Sequence, residues 1–491
     1  MTIKLSTPHT STKRVLVVIV SLALLLGAAV GIAVNKINQP LYILVGLVGL
    51  LSFIAAIASV EFGLLFLVFI TYTRFSDVIV HYHNAPSVAK SFIVLLIVAI
   101  LFRWAIFNEK PDGWQLPLLL IGAYGLVGFA SILYAQDPTR VVDTLSEFVK
   151  DAIIALVVVV LLKRGHTFRY VIWTLILVGI FLGSLSVYQY LTKTFTNEYG
   201  GFALAQVMQI VGATNDYRIS GPIGDPNFFA QAMVVLVPIA LERMLHEQRI
   251  LFRILAGLSA LVTILTIVFT FSRGGFLALV VTLVVLFLLY PPLSNRLPLF
   301  VLSVVVVMIM IPPSFYQRIL SLGQVVGASN VGFRTEDLAI RGRASELLTG
   351  WEMIKDHPMF GVGLKNYSYL YASYSKDIGL APSVSERSAH NLYLEVAAET
   401  GFVGLFIFFL ILRAMWISLK FARTKFLMAG LDNYSGMVTA LAIGTLGYLV
   451  AAIFVHAAFP RYFYLLVGLS MAMRQVAQNT VRELGREDLE N

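Results

Sequence analysis

Cysteine is absent from all 491 residues, which excludes disulfides, thiolate metal ligands and cysteine nucleophiles. Charge is scarce as well. Asp, Glu, Lys and Arg make up 13% of the chain, against about 25% in soluble domains, while 58% is hydrophobic. Together with a mean hydropathy of +0.84, this excludes a soluble globular protein and predicts a polytopic membrane protein. The chain also lacks a phosphate-binding loop, a His-Glu-x-x-His zinc motif, a Gly-x-Ser-x-Gly elbow and a paired-aspartate cation site, so it has no nucleotide machinery. Gly361-Val362-Gly363 lacks the strand, helix and third glycine of a dinucleotide fingerprint, and no internal repeat marks two inverted transporter halves. The net charge of +9 is accounted for by loops facing anionic lipid headgroups, so membrane lipids are expected partners and nucleic acid is not.

What the chain has in abundance is apolar runs long enough to cross a bilayer, about 20 residues each. These predict spans at 14–34, 41–59, 61–79, 88–107, 115–134, 146–163, 168–190, 226–245, 251–271, 273–291, 297–313, 402–421, 434–457 and 460–477. The first run follows Lys13 and Arg14 and exceeds the h-region of a signal peptide, so it is read as a retained span. The expected fold is an all-α, polytopic transmembrane helical bundle of about 12 to 14 helices. Lys and Arg concentrate in short segments on one side, including Lys163-Arg164, Arg243 to Arg253 and Lys420 to Lys425, which places both termini in the cytoplasm.

One long interval, 312–401, is too polar for the bilayer and is expected on the outer side, periplasmic in a two-membrane cell. Within it, Leu347, Leu348, Trp351 and Ile354 recur at steps of three and four, which predicts an amphipathic helix lying along the membrane surface. Asp356-His357-Pro358 ends that helix, and a second helical pattern starts at His390 and runs toward Gly401. A shorter outer loop, from Lys193 to Asn227, is rich in turn formers and reads most simply as a connector. The domain scheme is 1–225 for the N-terminal helices and outer loop, 226–457 for the region carrying the chemistry, and 458–491 for the last helix and tail.

The outer segments collect Arg218, Arg273, Arg341, Arg343 and His390. Guanidinium groups suit phosphate oxygens and stay charged at any relevant pH, so a cluster of them at a membrane surface suits a lipid diphosphate. Histidine can accept a proton from a hydroxyl at neutral pH. The combination points to transfer onto an alcohol with a membrane-held diphosphate as leaving group, against the plainer reading of a solvated histidine and snorkelling arginines. Gly274 and Gly275 favour an anion beside Arg273, because they let main-chain N–H groups come close. No metal and no cofactor is expected: aspartates such as Asp225, Asp337 and Asp377 stand alone, and arginines already supply positive charge.

Thr270-Phe271-Ser272-Arg273-Gly274-Gly275, Gly342-Arg343 with Trp351, His357-Pro358, Phe360-Gly361-Val362-Gly363, and Ser388-Ala389-His390-Asn391-Leu392-Tyr393-Leu394 with Glu399-Thr400-Gly401 together resemble the bacterial O-antigen ligase and polymerase superfamily. The resemblance covers about 226–457. It implies a GT-C-like membrane glycosyltransferase of the inner (plasma) membrane that takes a glycan from undecaprenyl diphosphate to a glycan or lipid acceptor without a metal. His390 of the His-Asn motif becomes the base, with Asn391 beside it at the substrate. Arg273 and Arg343 become diphosphate binders, and Arg218 and Arg341 join them from the loop argument. A chain-length regulator and a flippase are the candidate protein partners. Ligase, polymerase and protein glycosylation stay open, with a lean to a polymerase because the spans exceed those usual in the ligases. The competing class is a transporter or flippase, which should carry ionisable residues within its spans; these look nearly free of them, Arg413 being the clearest exception.

Overall fold

A computed structural model describes residues 59–211, 214–289, 338–377, 386–457 and 460–490. The spans expected at 14–34, 41–59 and 297–313, and the first part of the polar interval, lie outside the described residues, apart from Ser59. The described residues form α1 (Val60–Tyr72), α2 (Phe75–His83), α3 (Val88–Phe107), α4 (Gln115–Ala130), α5 (Pro138–Leu161), α6 (Gly165–Leu191), β1 (Leu204–Val211), β2 (Thr214–Gly221), α7 (Pro226–His246), α8 (Ile250–Phe269), α9 (Arg273–Leu289), α10 (Leu338–Asp356), α11 (Asn366–Asp377), α12 (Leu392–Met428), α13 (Asp432–Ala451) and α14 (Pro460–Glu490). Seven of these helices are long and apolar enough to cross a membrane, or eight if α1 and α2 form one broken span.

Local sequence sets the starts. Asp137-Pro138 and Asp225-Pro226 each place a carboxylate at the N-cap and proline in the first turn, which spares the missing N–H. Asp137 accepts from Thr139 and Arg140, and Asp225 from Asn227 and Phe228. This cap explains why α5 begins two turns before the apolar run expected at 146–163. The run expected at 61–79 is instead bent by 56° between α1 and α2. Thr73 turns back onto Phe69, Arg74 adopts a left-handed conformation, and its guanidinium pairs with Asp77 2.9 Å away.

α7 is the central helix, buried over 83% of its span and flanked by α8, α9 and α13, whereas α3 and α4 are buried over only 22%. Close approach relies on small residues, as is common between membrane helices. Gly179 and Gly183 of α6 face Ser259 and Val262 of α8, and the Ser259 hydroxyl donates to the Ile176 carbonyl at 3.0 Å. Charge is buried too, beyond the sequence expectation of nearly charge-free spans. Arg461 bridges Asp77 and Asp151 at 3.2 and 3.3 Å, and the wholly buried Arg243 pairs with Glu242 at 2.6 Å. Each charge has an opposite partner, the condition under which burial is tolerated.

Two departures concern the polar segments. Residues read as a plain connector form the antiparallel hairpin β1–β2, with Gln206 opposite Arg218. α11 arises where no helix was expected; Tyr367, Leu370 and Tyr371 bury one face of it against Met353, Ile354, Ala397 and Ala398, a small second core seated on the start of α12. On α10 the expected amphipathic face splits. Ile354 packs inward, while Leu347, Leu348 and Trp351 stay exposed, together with Met359 and Phe360.

Glycines lock this second core to α12. Val362 and Gly363 donate main-chain hydrogen bonds to Ala398 and Glu399 (2.8 and 2.9 Å), and Phe402 and Val403 donate to Pro358 and Met359 (2.8 and 3.2 Å). A Cβ at Gly361 would strike the main chain at Glu399 and Thr400, and one at Gly401 would strike Met359. Both glycines have positive φ, and Gly401 (63°, −168°) lies in a region open essentially to glycine alone.

Candidate active site

α12 starts with Asn391, whose side chain accepts from Leu394 N at 3.0 Å as an N-cap. Capping leaves the preceding residue outside the helix, and His390 takes a left-handed φ of 44°. The loop after α13 is tied to this same turn. Leu392 N donates to Ala452 O at 2.9 Å, Ala457 N donates to Glu395 Oε2 at 2.6 Å, and the Tyr393 hydroxyl donates to Leu449 O at 2.9 Å. The tie brings His456 edge-on to His390, with ring centroids 5.2 Å apart and planes at 82°. Phe228, in the first turn of α7, stacks edge-on against His456 at 5.0 Å.

Three arginines lie on elements that border the loop carrying His456 or the start of α7. Arg343, on α10, lies 6.0 Å from the ring of Phe454, two residues before His456. The same Phe454 side chain packs directly on Gly274, next to Arg273 at the start of α9. Gly274 thus meets Phe454 and Gly275 meets Ala230, and neither contact leaves room for a Cβ. Close packing therefore accounts for the two glycines without an anion. Ser272 caps α9 by accepting from Gly275 N at 3.2 Å. Arg218 on β2 is 2% exposed; its Nε donates to Thr270 O at 2.8 Å and its Nη2 to the Asn227 side chain at 3.1 Å. The Arg218 guanidinium thereby ties the hairpin to both the Thr270 turn and the start of α7.

Electrostatics follow from this crowding. Burial, then His456 and Arg343, push His390 down to about 4, with Asp225 opposing and Arg387 adding to the fall. Burial and Lys365 push His456 down to about 3. Both imidazoles are therefore neutral at pH 7, and the Nδ1 of His456 is buried without a protein hydrogen bond. On α10, burial raises Glu346 to about 7 against the pull of Arg387 and Arg343. Its Oε1 sits 3.5 Å from Arg387 Nε, while Oε2 has no hydrogen-bond partner.

Of the residues singled out in the sequence, His390 meets His456, Arg343 lies over Phe454 of the same loop, Arg218 bonds to Asn227 two residues after the Asp225 that acts on His390, and Arg273 is the chain neighbour of Gly274, on which Phe454 packs. Asn391 has a capping role in the chain, and Arg341 lies on α10 with its side chain outside the described residues. Sequence reading missed His456, Arg387, Glu346 and Phe454; the one available signal was that His456 falls at the end of a span near Arg461. Among the described residues no three His, Asp or Glu side chains are placed to share a metal ion.

Residues 258–409 match a family model described as Wzy_C, O-Antigen ligase. The match takes in the Ser272 to Gly275 turn, Arg343 and His390, and leaves Arg218 and His456 outside it. No curated protein matches the chain.

Proposed function

Residues 258–409 place the chain in the O-antigen ligase superfamily of membrane glycan transferases, and from that premise we propose that it moves a glycan from an undecaprenyl-diphosphate carrier onto an acceptor hydroxyl at the outer face of the membrane. The observation that supports this most is the junction of a neutral, half-buried His390 with Arg343, Asp225 and His456. His390 takes the proton from the acceptor hydroxyl as its oxygen attacks the anomeric carbon. The bond from that carbon to the diphosphate oxygen breaks on the opposite face, so the sugar's configuration inverts. Arg273 and Arg343 bear on the leaving diphosphate, where preorganised donors stabilise the charge as it develops, and the buried Arg218 holds the Thr270 turn from which α9 and Arg273 start. Guanidinium groups in that position make a divalent cation unnecessary. Asn391 fixes the turn that aims His390, and Arg341 is assigned to the carrier on its place in the sequence alone.

The site is expected at a periplasmic or outer surface of a bacterial inner membrane, with both termini cytoplasmic. The exposed Leu347, Leu348, Trp351, Met359 and Phe360 then lie among lipid headgroups. The transport reading loses ground because the buried charges are engaged in pairs, Arg461 with Asp151 between α14 and α5 and Arg243 with Glu242 within α7, and Arg413 is exposed on α12. The deciding experiment reconstitutes the full chain with an undecaprenyl-diphosphate glycan and an acceptor. Transfer by the parent and its loss in a folded, inserted His390→Ala variant are expected; near-normal turnover in that variant removes His390 from the base role.

A further inference from the structure

A depression of about 430 Å3, whose lining ends at Ser388, two residues before His390, is left unused by the transfer scheme. Its walls are Arg140, Asp143 and Thr144 from the first turns of α5, Lys365 and Ser368 around the start of α11, and the stretch from Glu386 to Ser388 that leads into His390. The volume falls within the range of about 300 to 1,000 Å3 usual for ligand pockets, but the lining does not resemble most of them. All of its described lining residues carry a hydroxyl or a charged group at the end of a short or aliphatic stem, and no purely aliphatic or aromatic side chain is among them.

Its cations already face carboxylates. Arg140 forks onto Glu386 at 2.8 and 3.0 Å and gives its Nε to Asp137 at 2.9 Å. Lys365 lies 3.6 Å from Glu395, and Arg387 lies 3.5 Å from Glu346. A phosphate entering here would have to compete with those carboxylates. The lining thus presents closely spaced donors and acceptors with little surplus charge, which suits sugar hydroxyls, since each of them both donates and accepts. The Thr144 and Ser368 hydroxyls spend their protons on the Arg140 and Lys365 carbonyls and keep lone pairs for a ligand.

Position gives this chemistry its meaning. Ser388 stands two residues before His390, Arg387 is among the charges acting on His390, and Lys365 acts on His456. We propose that this pocket seats the accepting sugar of an uncharged saccharide, so that the acceptor is recognised by its hydroxyls and not by a lipid or a phosphate. This rests on the transfer reading above and adds which end of the acceptor the chain holds, and where.

Thr144→Trp and Ser368→Trp fill the pocket without removing an ion pair, and Thr144→Ser controls for folding. Full-length protein in lipid nanodiscs is titrated with neutral oligosaccharides released from the producing cell's surface glycan, with the same oligosaccharides bearing a phosphate ester, and with undecaprenyl diphosphate. The parent and Thr144→Ser are expected to bind the neutral saccharide at least as tightly as its phosphate ester. Both Trp variants should lose about tenfold or more in saccharide affinity and in acceptor KM, while undecaprenyl diphosphate affinity stays within about twofold. A parent that binds no saccharide or only the phosphorylated form overturns the proposal, as do Trp variants that bind like the parent. A parent that binds saccharide here but never releases undecaprenyl diphosphate leaves the pocket standing and removes the transfer reading.

Discussion

Donor binding should change the protonation of His390, and the size of the change can be worked out from the site. In the empty site His390 sits at about 4, held down by burial and by neighbouring positive charge. In the proposed scheme a diphosphate brings negative charge to the same place. One unit charge at about 6 Å, with an effective dielectric of about 20, is worth about 2.8 kcal/mol, equivalent to a pKa rise of about 2. Even one such charge therefore lifts His390 to about 6, close to the value at which a general base works best at neutral pH. The sign follows from linkage. A group whose pKa is higher in the complex takes up a proton on binding between the two values, so donor affinity is greatest at low pH and falls as pH rises from about 4 toward about 6. The slope should approach tenfold per pH unit. The assay is the dissociation constant of undecaprenyl diphosphate between pH 4 and 8, for the parent and for His390→Gln, which keeps the ligand's own ionisation and that of His456, Asp225 and Glu346. A pH dependence identical in the two proteins would refute the coupling.

The remaining predictions concern single groups. If Arg273 and Arg343 grip the diphosphate through paired N–H groups, Arg273→Lys and Arg343→Lys should each slow transfer by about 10- to 100-fold despite the retained charge; turnover equal to the parent's would reduce them to general surface charge. Transfer should persist in excess EDTA, and activity that vanished with chelator and returned with magnesium would sink the arginine-only scheme. Gly401→Ala forces a side chain onto a conformation kept for glycine and onto the Met359 main chain, so it should cost about 1 to 3 kcal/mol, read as a lower Tm in detergent. An unchanged Tm would mean that the contact between 358–363 and 398–403 yields easily.

The helices were legible because an apolar run that fills the bilayer has few other options. The run at 88–107 and the one starting at Pro226 appear as α3 and α7 almost residue for residue. Motif spacing also pointed to His390, Arg343 and Arg273, each of which lies on a local signature. His456 could not be found that way, since its partner in the site is 66 positions earlier and the tie between them is made by main-chain atoms of Leu392, Ala452 and Ala457. α11 was hidden for another reason. Its buried face is drawn by Tyr367, Leu370, Tyr371 and Tyr374, and tyrosines weaken the contrast between an apolar and a polar side that a periodic pattern depends on. The hairpin was masked by its turn formers, which suggested a loop while its strands supplied the buried Arg218.

The interlocked glycines carry a mechanical consequence. A pivot needs slack in the main chain, and the stretch around Pro358 to Gly363 has none, because four N–H to carbonyl links stitch it to both sides of the break at Gly401. The α10–α11 unit therefore travels with α12 as one stiff piece and cannot swing as a flap about that junction. A bulky carrier lipid reaching His390 would have to find its opening along another edge of this piece.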